Sequence, residues 1–546
     1  MVNILLFVIS IIWLIGACLR VYRHARYYQI EEYMSLRYLR WLFAVRRRWL
    51  PTRPLIAFGI GAVFSFMFSE SPDGILPAII GTVSAAAAAY PPAEGEVKKA
   101  FRATARAKRL LSAAFVIAAV LMLVGLWLVS RVSLEGSPEI QVIAVSALGF
   151  AVFLAAPFTL IASNLIMTPV EAWFRRGFIQ RARRVLDEVH PDVIGITGSY
   201  GKTSTKSYLA HILNGRYKAY ATPKSFNTLM GICLATNNNL ANDHSIDYFL
   251  VEMGAYIPGE IARICDLTHP RIGVVVEVGP QHLERFGSLE NVVTAKYELI
   301  KALPPDGVGV FNWDNPHVRE MYERGYPNNR IAVSREIDLN SPEAPRFVAT
   351  DIQESLDGLR FTIHDRQTGE NAEFTTSLLG LHNVTNLLLA TAVAVHEGMP
   401  LREVTRRVRS LQPAESRLER RTSQGITIIN DAYSANPVGA EQALRVLGMH
   451  TTGKRLLITP GMVELGALME SENRKLGEVA AKYATDVILV GSQTAPIKEG
   501  LIRAGFPEEQ TLTVDTLGEA VDWYQRNLKA GDTVLFLNDL PDTYSS

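Results

Sequence analysis

With 546 residues, and 55 Lys and Arg against 54 Asp and Glu, the chain carries a formal net charge of +1, so no global field draws nucleic acid to it and none is expected as a partner. That length exceeds a single compact domain. Its three cysteines, Cys18, Cys233 and Cys265, lie far apart and form no CxxC, which speaks against a disulfide framework or thiolate zinc site and fits a reducing compartment for the soluble part.

Residues 1–168 concentrate the apolar sequence. The first run, Ile4–Leu19, is slightly short of the ~20 residues a spanning helix needs, with Asn3 and Arg20 available for the interfaces. No Lys or Arg precedes Arg20, so the basic flank of a cleaved signal peptide is missing. Further runs are Leu55–Phe68, Ile75–Tyr90, Leu111–Ser130 and Val142–Met167. The second and third are short and carry Gly and Pro; they read as two spans or a re-entrant hairpin. Basic residues fix the orientation. Arg20 to Arg53 is rich in arginine, and Lys98, Lys99, Arg102, Arg106, Lys108 and Arg109 precede the fourth run. The intervening loops instead hold Glu70 with Asp73 and no base, and one Arg, Arg131, against Glu135 and Glu139. The expectation is a multi-pass region of four to five helices (1–168) in the cell membrane, N-terminus outside and the catalytic domains cytoplasmic. Residues 169–189, with Arg175, Arg176, Arg181, Arg183 and Arg184, read as an amphipathic juxtamembrane helix touching anionic membrane lipid, or as a solvated linker helix.

Val193–Thr197 is a β-branched run suited to a buried parallel strand. It leads into Gly198, Ser199, Tyr200, Gly201, Lys202, Thr203 and Ser204, then a helical pattern through Leu213. Strand, glycine loop and helix N-terminus together cradle phosphates, so ATP is the expected ligand, with Lys202 on its β- and γ-phosphates and the Thr203 hydroxyl on Mg²⁺. The common phosphate-loop pattern has a glycine where Ile196 stands; here glycines recur at 195, 198 and 201.

This GITGSYGKTST stretch resembles the phosphate loop of the Mur ligase family, and the likeness continues in order. Ser225-Phe-Asn227-Thr-Leu-Met-Gly231 resembles the family's asparagine-glycine segment. Tyr248–Glu252 reads as a strand ending in a carboxylate, as a second-strand Mg²⁺ ligand should. Gln281-His282-Leu-Glu284 and then Ala295-Lys296 stand where the family has a histidine on a second Mg²⁺ and a lysine often carbamylated. The resemblance thus implies two Mg²⁺ sites drawing on Thr203, Glu252, His282 and Lys296. His382-Asn383-Val-Thr-Asn386 resembles the HNxxN segment, whose asparagines contact the nucleotide; read without the family, they are a helix cap and a polar neighbour.

Arg417, in Ser416-Arg417-Leu-Glu419, occupies the place from which the family's linker meets the nucleotide phosphates on domain closure. Ile426–Ile429 reads as a strand, followed by Asn430-Asp431-Ala-Tyr433-Ser-Ala-Asn436-Pro437. Asp431, at a strand end, is expected to contact nucleotide. This phrase and Leu456–Gly466, including Glu464, most resemble the family branch that adds D-alanyl-D-alanine (the MurF type). That type begins with a small uridine-binding domain, whose place the membrane runs take here, and Pro460-Gly461 departs from its usual glycine-aspartate. Asp486–Val490, Thr511–Val514 and Thr533–Leu537 read as further strands.

The expected architecture is a multi-span helical membrane region, a P-loop-type, mostly parallel sheet ATPase domain (190–414) and a C-terminal Rossmann-like α/β domain (415–546). The implied reaction is ATP-dependent amide formation through an acyl phosphate, with Lys202, His282, Lys296 and Arg417 in catalytic roles. The acid would be a small-molecule or lipid-linked cell-wall precursor and the amine an amino acid or dipeptide. A membrane-bound polyglutamate-type synthase would also pair spans with such a core. A transport ATPase of the ABC kind would show LSGGQ before its acidic strand, and the sequence has none.

Overall fold

In the computed structural model the described residues are 2–31, 33–69, 71, 74–91, 101–131, 137–223, 226–413, 417–432, 436–463 and 465–538. Glu70, Asp73, Lys98, Lys99, Glu135, Ser225, Ser416, Tyr433 and Glu464, and the boundary at 414/415, lie outside the described residues. The chain forms two compact units, one up to residue 176 and one from residue 177.

The first unit is helical. Three helices, Val2–Ile30, Ala105–Arg131 and Pro138–Val189, are long and apolar enough to cross a membrane, and Thr52–Met67 and Ile75–Ala89 are shorter apolar helices. The short pair pack on each other, with Ser84 Oγ donating to the Ala57 carbonyl at 2.7 Å and Ser65 Oγ to the Pro77 carbonyl at 3.2 Å. Backbone acceptors thereby satisfy hydroxyls in an apolar setting. Arg20 ends the first apolar run but stays buried, because its guanidinium donates to the carbonyls of Phe153, Arg48 and Trp49.

The juxtamembrane segment differs from the reading above. Residues 169–189 are not a separate helix but the end of one 52-residue helix, Pro138–Val189, which runs through Pro157 and Pro169. Its apolar face at Ala182, Val185, Leu186 and Val189 is buried in the core of the second unit. From Ala182 on that face therefore covers protein, while Val170, Trp173 and Phe174 and the basic residues stay exposed.

The second unit holds two sheets. The first is built from β1 (Asp192–Thr197), β2 (Ala219–Ala221), β3 (Tyr248–Glu252), β4 (Ile272–Val275), β5 (Val308–Asn312), β6 (Asn329–Ser334), β7 (Phe347–Ser355), β8 (Gly358–Asp365) and β9 (Asn371–Thr376). Their order is β2-β3-β1-β4-β5-β6-β7-β8-β9, parallel through β7 and antiparallel for the last two pairings. β1, β3 and β4 are buried almost throughout, as expected of parallel strands covered on both faces. The helices Lys202–Leu213 and His382–His396 close one face, and Glu260–Thr268 and Leu289–Lys301 the other.

The second sheet comprises β10 (Glu419–Ser423), β11 (Ile426–Asp431), β12 (Arg455–Thr459), β13 (Asp486–Val490), β14 (Thr511–Val514) and β15 (Thr533–Leu537), ordered β10-β11-β15-β12-β13-β14. Only the β10–β11 pairing is antiparallel. Open parallel sheets bind ligands beyond the carboxyl ends of their strands. The residues that follow β1, β3 and β4 of the first sheet and end β11 of the second are therefore where a site should form.

Candidate active site

β1 ends at Thr197, and the chain turns through Gly198–Gly201 into the helix Lys202–Leu213. Gly201 has φ 76°, and a Cβ there would stand 2.6 Å from Asn386 Oδ1. Only glycine combines that backbone with so close a neighbour. Ser199 ties the loop to the next strand: its N–H donates to the Glu277 carbonyl at 2.6 Å and its Oγ to the Gly279 carbonyl at 2.9 Å. Lys202 folds back so that Nζ donates to the carbonyls of Gly198 at 2.7 Å and Ser199 at 3.0 Å. Burial pulls its ammonium down to about 8, opposed by attraction to Glu252.

Glu252, the last residue of β3, is 1% exposed. Its Oε1 accepts from Thr203 Oγ1 at 3.2 Å and Asn227 Nδ2 at 3.3 Å, and its Oε2 from Lys206 Nζ at 3.0 Å. Asn227 can lie this close because Gly254 has no side chain; a Cβ there would meet Asn227 Cγ at 2.8 Å. A hydroxyl and a carboxylate oxygen at the end of the phosphate loop are the hard donors that Mg²⁺ takes in nucleotide sites.

Lys296 lies inside the helix Leu289–Lys301, which Ser288 caps. It is 3% exposed, with Nζ 5.7 Å from the centre of the Phe286 ring. Burial and then the nearby Lys202 hold its amine well below the usual lysine range, against the pull of Glu260, Glu298 and Glu252. Two of those carboxylates cap backbone: Glu298 accepts from the N–H groups of Gly259 and Ala262, and Glu260 from that of Tyr256. His282 has φ 54° and precedes the short helix Leu283–Phe286. Its ring meets Tyr256 edge to face at 4.9 Å, and the Arg285 guanidinium lies 4.1 Å from the same tyrosine ring.

The predicted metal set is thus gathered in part. Thr203 and Glu252 touch, Lys296 lies within electrostatic reach of Glu252, and His282 packs its ring against Tyr256. Among the described residues no three His, Cys, Asp or Glu side chains cluster in metal-binding fashion. The donors present fit one Mg²⁺ at Thr203 and Glu252. Lys296 as a plain amine does not supply the oxygen a second Mg²⁺ would need.

Beside the loop a narrow cleft, partly open to solvent, runs between the two sheets. Tyr200, Gly201, Thr203 and Ser204 form its floor, His382 and Asn386 one wall, and Arg417, Asp431 and Asn436 the other. Its lining of loop backbone, hydroxyls, amides and one guanidinium suits a nucleotide's phosphates. Arg417 lies close enough to Lys202 and Tyr208 to perturb both. Asp431, at the end of β11, is pushed up to about 7 by burial, which outweighs Arg417 and the Leu418 N–H that donates to its Oδ1 at 3.2 Å.

Asn383 does not line this cleft. Its Oδ1 accepts from Tyr208 OH at 3.0 Å and Asn386 Nδ2 at 3.1 Å, and its Nδ2 donates to the Leu379 carbonyl at 2.7 Å. It steadies Asn386, which faces the ligand space. Four residues were not assigned roles from sequence. Lys206 was findable, since it follows Lys202 by one helical turn on the same face. Tyr200, Glu277 and His382 also line the cleft, with no spacing signal to mark them. Burial lowers the His382 imidazole to about 4 and raises both the Glu277 carboxyl and the Tyr200 phenol.

Comparison with known proteins agrees with this geometry. Residues 196–394 match the Mur ligase middle domain, and residues 416–538 match the Mur ligase glutamate ligase domain. The UDP-N-acetylmuramoyl-tripeptide–D-alanyl-D-alanine ligase of Bacillus subtilis is 29% identical over 360 residues, 65% of this chain and 75% of the relative. That of Mycobacterium leprae is 31% identical over 366 residues, 63% of this chain and 70% of the relative. Solved structures of MurF from Acinetobacter baumannii and of the Thermotoga maritima enzyme with ADP each superpose with a TM-score of 0.58 at 24% identity. They cover 67% of this chain and 77% and 80% of theirs, respectively, and so share its fold. Since the two domain models take in more than half of the sequence, and the M. leprae enzyme is matched over more than two thirds of its length, the chain belongs to the Mur ligase family of ATP-dependent amide-forming ligases.

Proposed function

We propose that this chain performs MurF-like addition of D-alanyl-D-alanine to a muramoyl-peptide acid of peptidoglycan precursor synthesis, at the cytoplasmic face of the cell membrane. The single observation that carries the reading is the cleft in which the phosphate loop of one sheet faces Arg417 and Asp431 of the other. The named relatives support the substrate pair, and three helices long and apolar enough to span support the membrane placement.

The chemical problem is charge, because a substrate carboxylate must approach a triphosphate. The carboxylate oxygen attacks the γ-phosphorus, the bond to the β–γ bridging oxygen breaks, and ADP leaves with that electron pair. An amine then attacks the acyl carbon, phosphate departs, and the ammonium proton is lost to solvent. Lys202 turns from the loop carbonyls toward the phosphates, and Arg417 draws the second domain over them. Thr203 and Glu252 would hold a Mg²⁺, which when bound would supply charge neutralisation at the phosphates. Domain closure excludes the water that would hydrolyse the acyl phosphate. Lys296, buried and with its amine held well below the usual lysine range, suits carbamylation by CO₂ with loss of a proton; the resulting carboxylate, with His282, would complete a second Mg²⁺ site.

The full chain in detergent, given ATP and Mg²⁺, should release ADP and phosphate only when a muramoyl-tripeptide acid and D-alanyl-D-alanine are both present, with the amide product seen by mass spectrometry. Equal release without the acid would refute ligation. Product only with glutamate would favour the polyglutamate-type synthase.

A further inference from the structure

Glu252 carries more structure than a metal ligand requires. The carboxylate is 1% exposed and its two oxygens are divided between different partners. Oε1 faces Thr203 and Asn227 on the phosphate-loop side, while Oε2 is taken by Lys206 at 3.0 Å. The Lys206 side chain is 3% exposed, so this is a buried ion pair. Such a pair gains little net stability over well-packed apolar groups, because desolvating two charges cancels most of their attraction. It does fix geometry, since a carboxylate held at both oxygens, by Lys206 on one side and Thr203 and Asn227 on the other, cannot rotate freely.

Lys206 follows Lys202 in the same helix, so the loop that aims at the phosphates also carries the clamp on the metal ligand. We propose that Lys206 is a positioning residue that occupies Glu252 Oε2 and so presents Oε1 alone to the metal. The proposal rests on Glu252 being a Mg²⁺ ligand. One-oxygen ligation suits Mg²⁺, which keeps octahedral geometry and leaves positions for phosphate oxygens and water. A carboxylate free to bind through both oxygens suits Ca²⁺, which takes six to eight ligands. The clamp therefore sets cation preference as well as affinity.

The test uses the full chain in detergent with ADP, and Mn²⁺ as the probe, free Mn²⁺ being read by electron paramagnetic resonance. Glu252→Gln should weaken Mn²⁺ binding by about tenfold or more, as loss of a ligand or its supporting partner does. Lys206→Met retains the aliphatic stem and removes the donor. It should weaken Mn²⁺ by about tenfold and raise the ability of Ca²⁺ relative to Mg²⁺ to displace it. A lysine that only neutralised buried charge would leave the Ca²⁺/Mg²⁺ ratio unchanged, and that result overturns the proposal. Unchanged affinity in Glu252→Gln would instead overturn the metal-ligand reading beneath it.

Should Lys206→Met not fold, the parent chain decides the matter. Its infrared difference spectrum on Mg²⁺ binding, with the Glu252 band identified by its loss in Glu252→Gln, should show the widened carboxylate splitting of one-oxygen ligation. The narrowed splitting of two-oxygen ligation would overturn the clamp.

Discussion

Replacing Gly201 by alanine tests the phosphate cradle at its tightest point. Gly201 has φ 76°, and an added Cβ would lie 2.6 Å from Asn386 Oδ1 and 2.7 Å from Val276 Cγ1. The left-handed backbone costs a side-chain-bearing residue about 1–2 kcal/mol. Overpacking against two buried neighbours adds about 1–3 kcal/mol. Moving Asn386 also disturbs the 3.2 Å hydrogen bond from Thr205 Oγ1, worth about 1 kcal/mol net. Relaxation shares these terms, leaving on the order of 2–4 kcal/mol. The loop can relieve that strain only by swinging its amides off the phosphate position, so the cost should fall on nucleotide binding more than on stability. Calorimetric titration of ADP into Gly201→Ala should show at least a roughly tenfold weaker Kd, at about 1.4 kcal/mol per factor of ten. The full-length chain should still unfold cooperatively, with a Tm lowered by only a few degrees. Unchanged ADP affinity and unchanged Tm together would refute the reasoning, because the close approach to Asn386 would then not constrain the loop.

Three further outcomes are expected. Lys202→Met, which leaves the loop backbone intact, should lower turnover by roughly 10²–10³ with Tm preserved, as loss of a phosphate-directed donor does; turnover within a factor of about two of the parent would remove Lys202 from the reaction. Asp431, pushed up to about 7 by burial, binds a proton in the folded chain where the unfolded chain has released it. Stability therefore falls as pH rises from about 4 to about 7, by on the order of 4 kcal/mol, and Asp431→Asn should flatten the Tm–pH profile in that window; identical profiles would contradict it. In intact cells a membrane-impermeant maleimide should label Ser69→Cys but not Arg47→Cys in a Cys18→Ser background, since basic segments remain cytoplasmic; the reverse pattern would invert the topology.

Much of the catalytic half was legible because its chemistry depends on local chain order. A buried strand, glycines at 198 and 201, and a helix opening with Lys202 and Thr203 must be contiguous to cradle phosphate, and β1 and its helix stand where that pattern puts them. Glu252 was legible for the same reason, as the last residue of a fully buried strand. Contacts made across the fold were less legible. Nothing in the spacing of Asn383 and Asn386 says that the first would be occupied by Tyr208, 175 positions earlier, and that only the second would face the cleft. Residues 169–189 were legible as a helix but not in their surroundings, because amphipathy announces an apolar face without naming what covers it. Here Val185 and Leu186 found the catalytic core.

The site's charges show why the two sheets act as one device. Lys202 donates to loop carbonyls, while Glu252, the carboxylate that attracts it, is already paired with Lys206, so positive charge is left over at the loop. Arg417 lies near enough to Lys202 to add to that excess, while Asp431, the carboxylate beside it, is raised toward neutrality by burial. Such an arrangement is uphill when empty and favourable once a triphosphate enters, because each phosphate oxygen finds a donor already desolvated. Binding energy from the polyphosphate can thus draw Arg417 and its sheet onto the loop before any acid is activated. The electrostatics therefore favour a polyphosphate as the first ligand, ahead of a carboxylate substrate brought to its γ-phosphate.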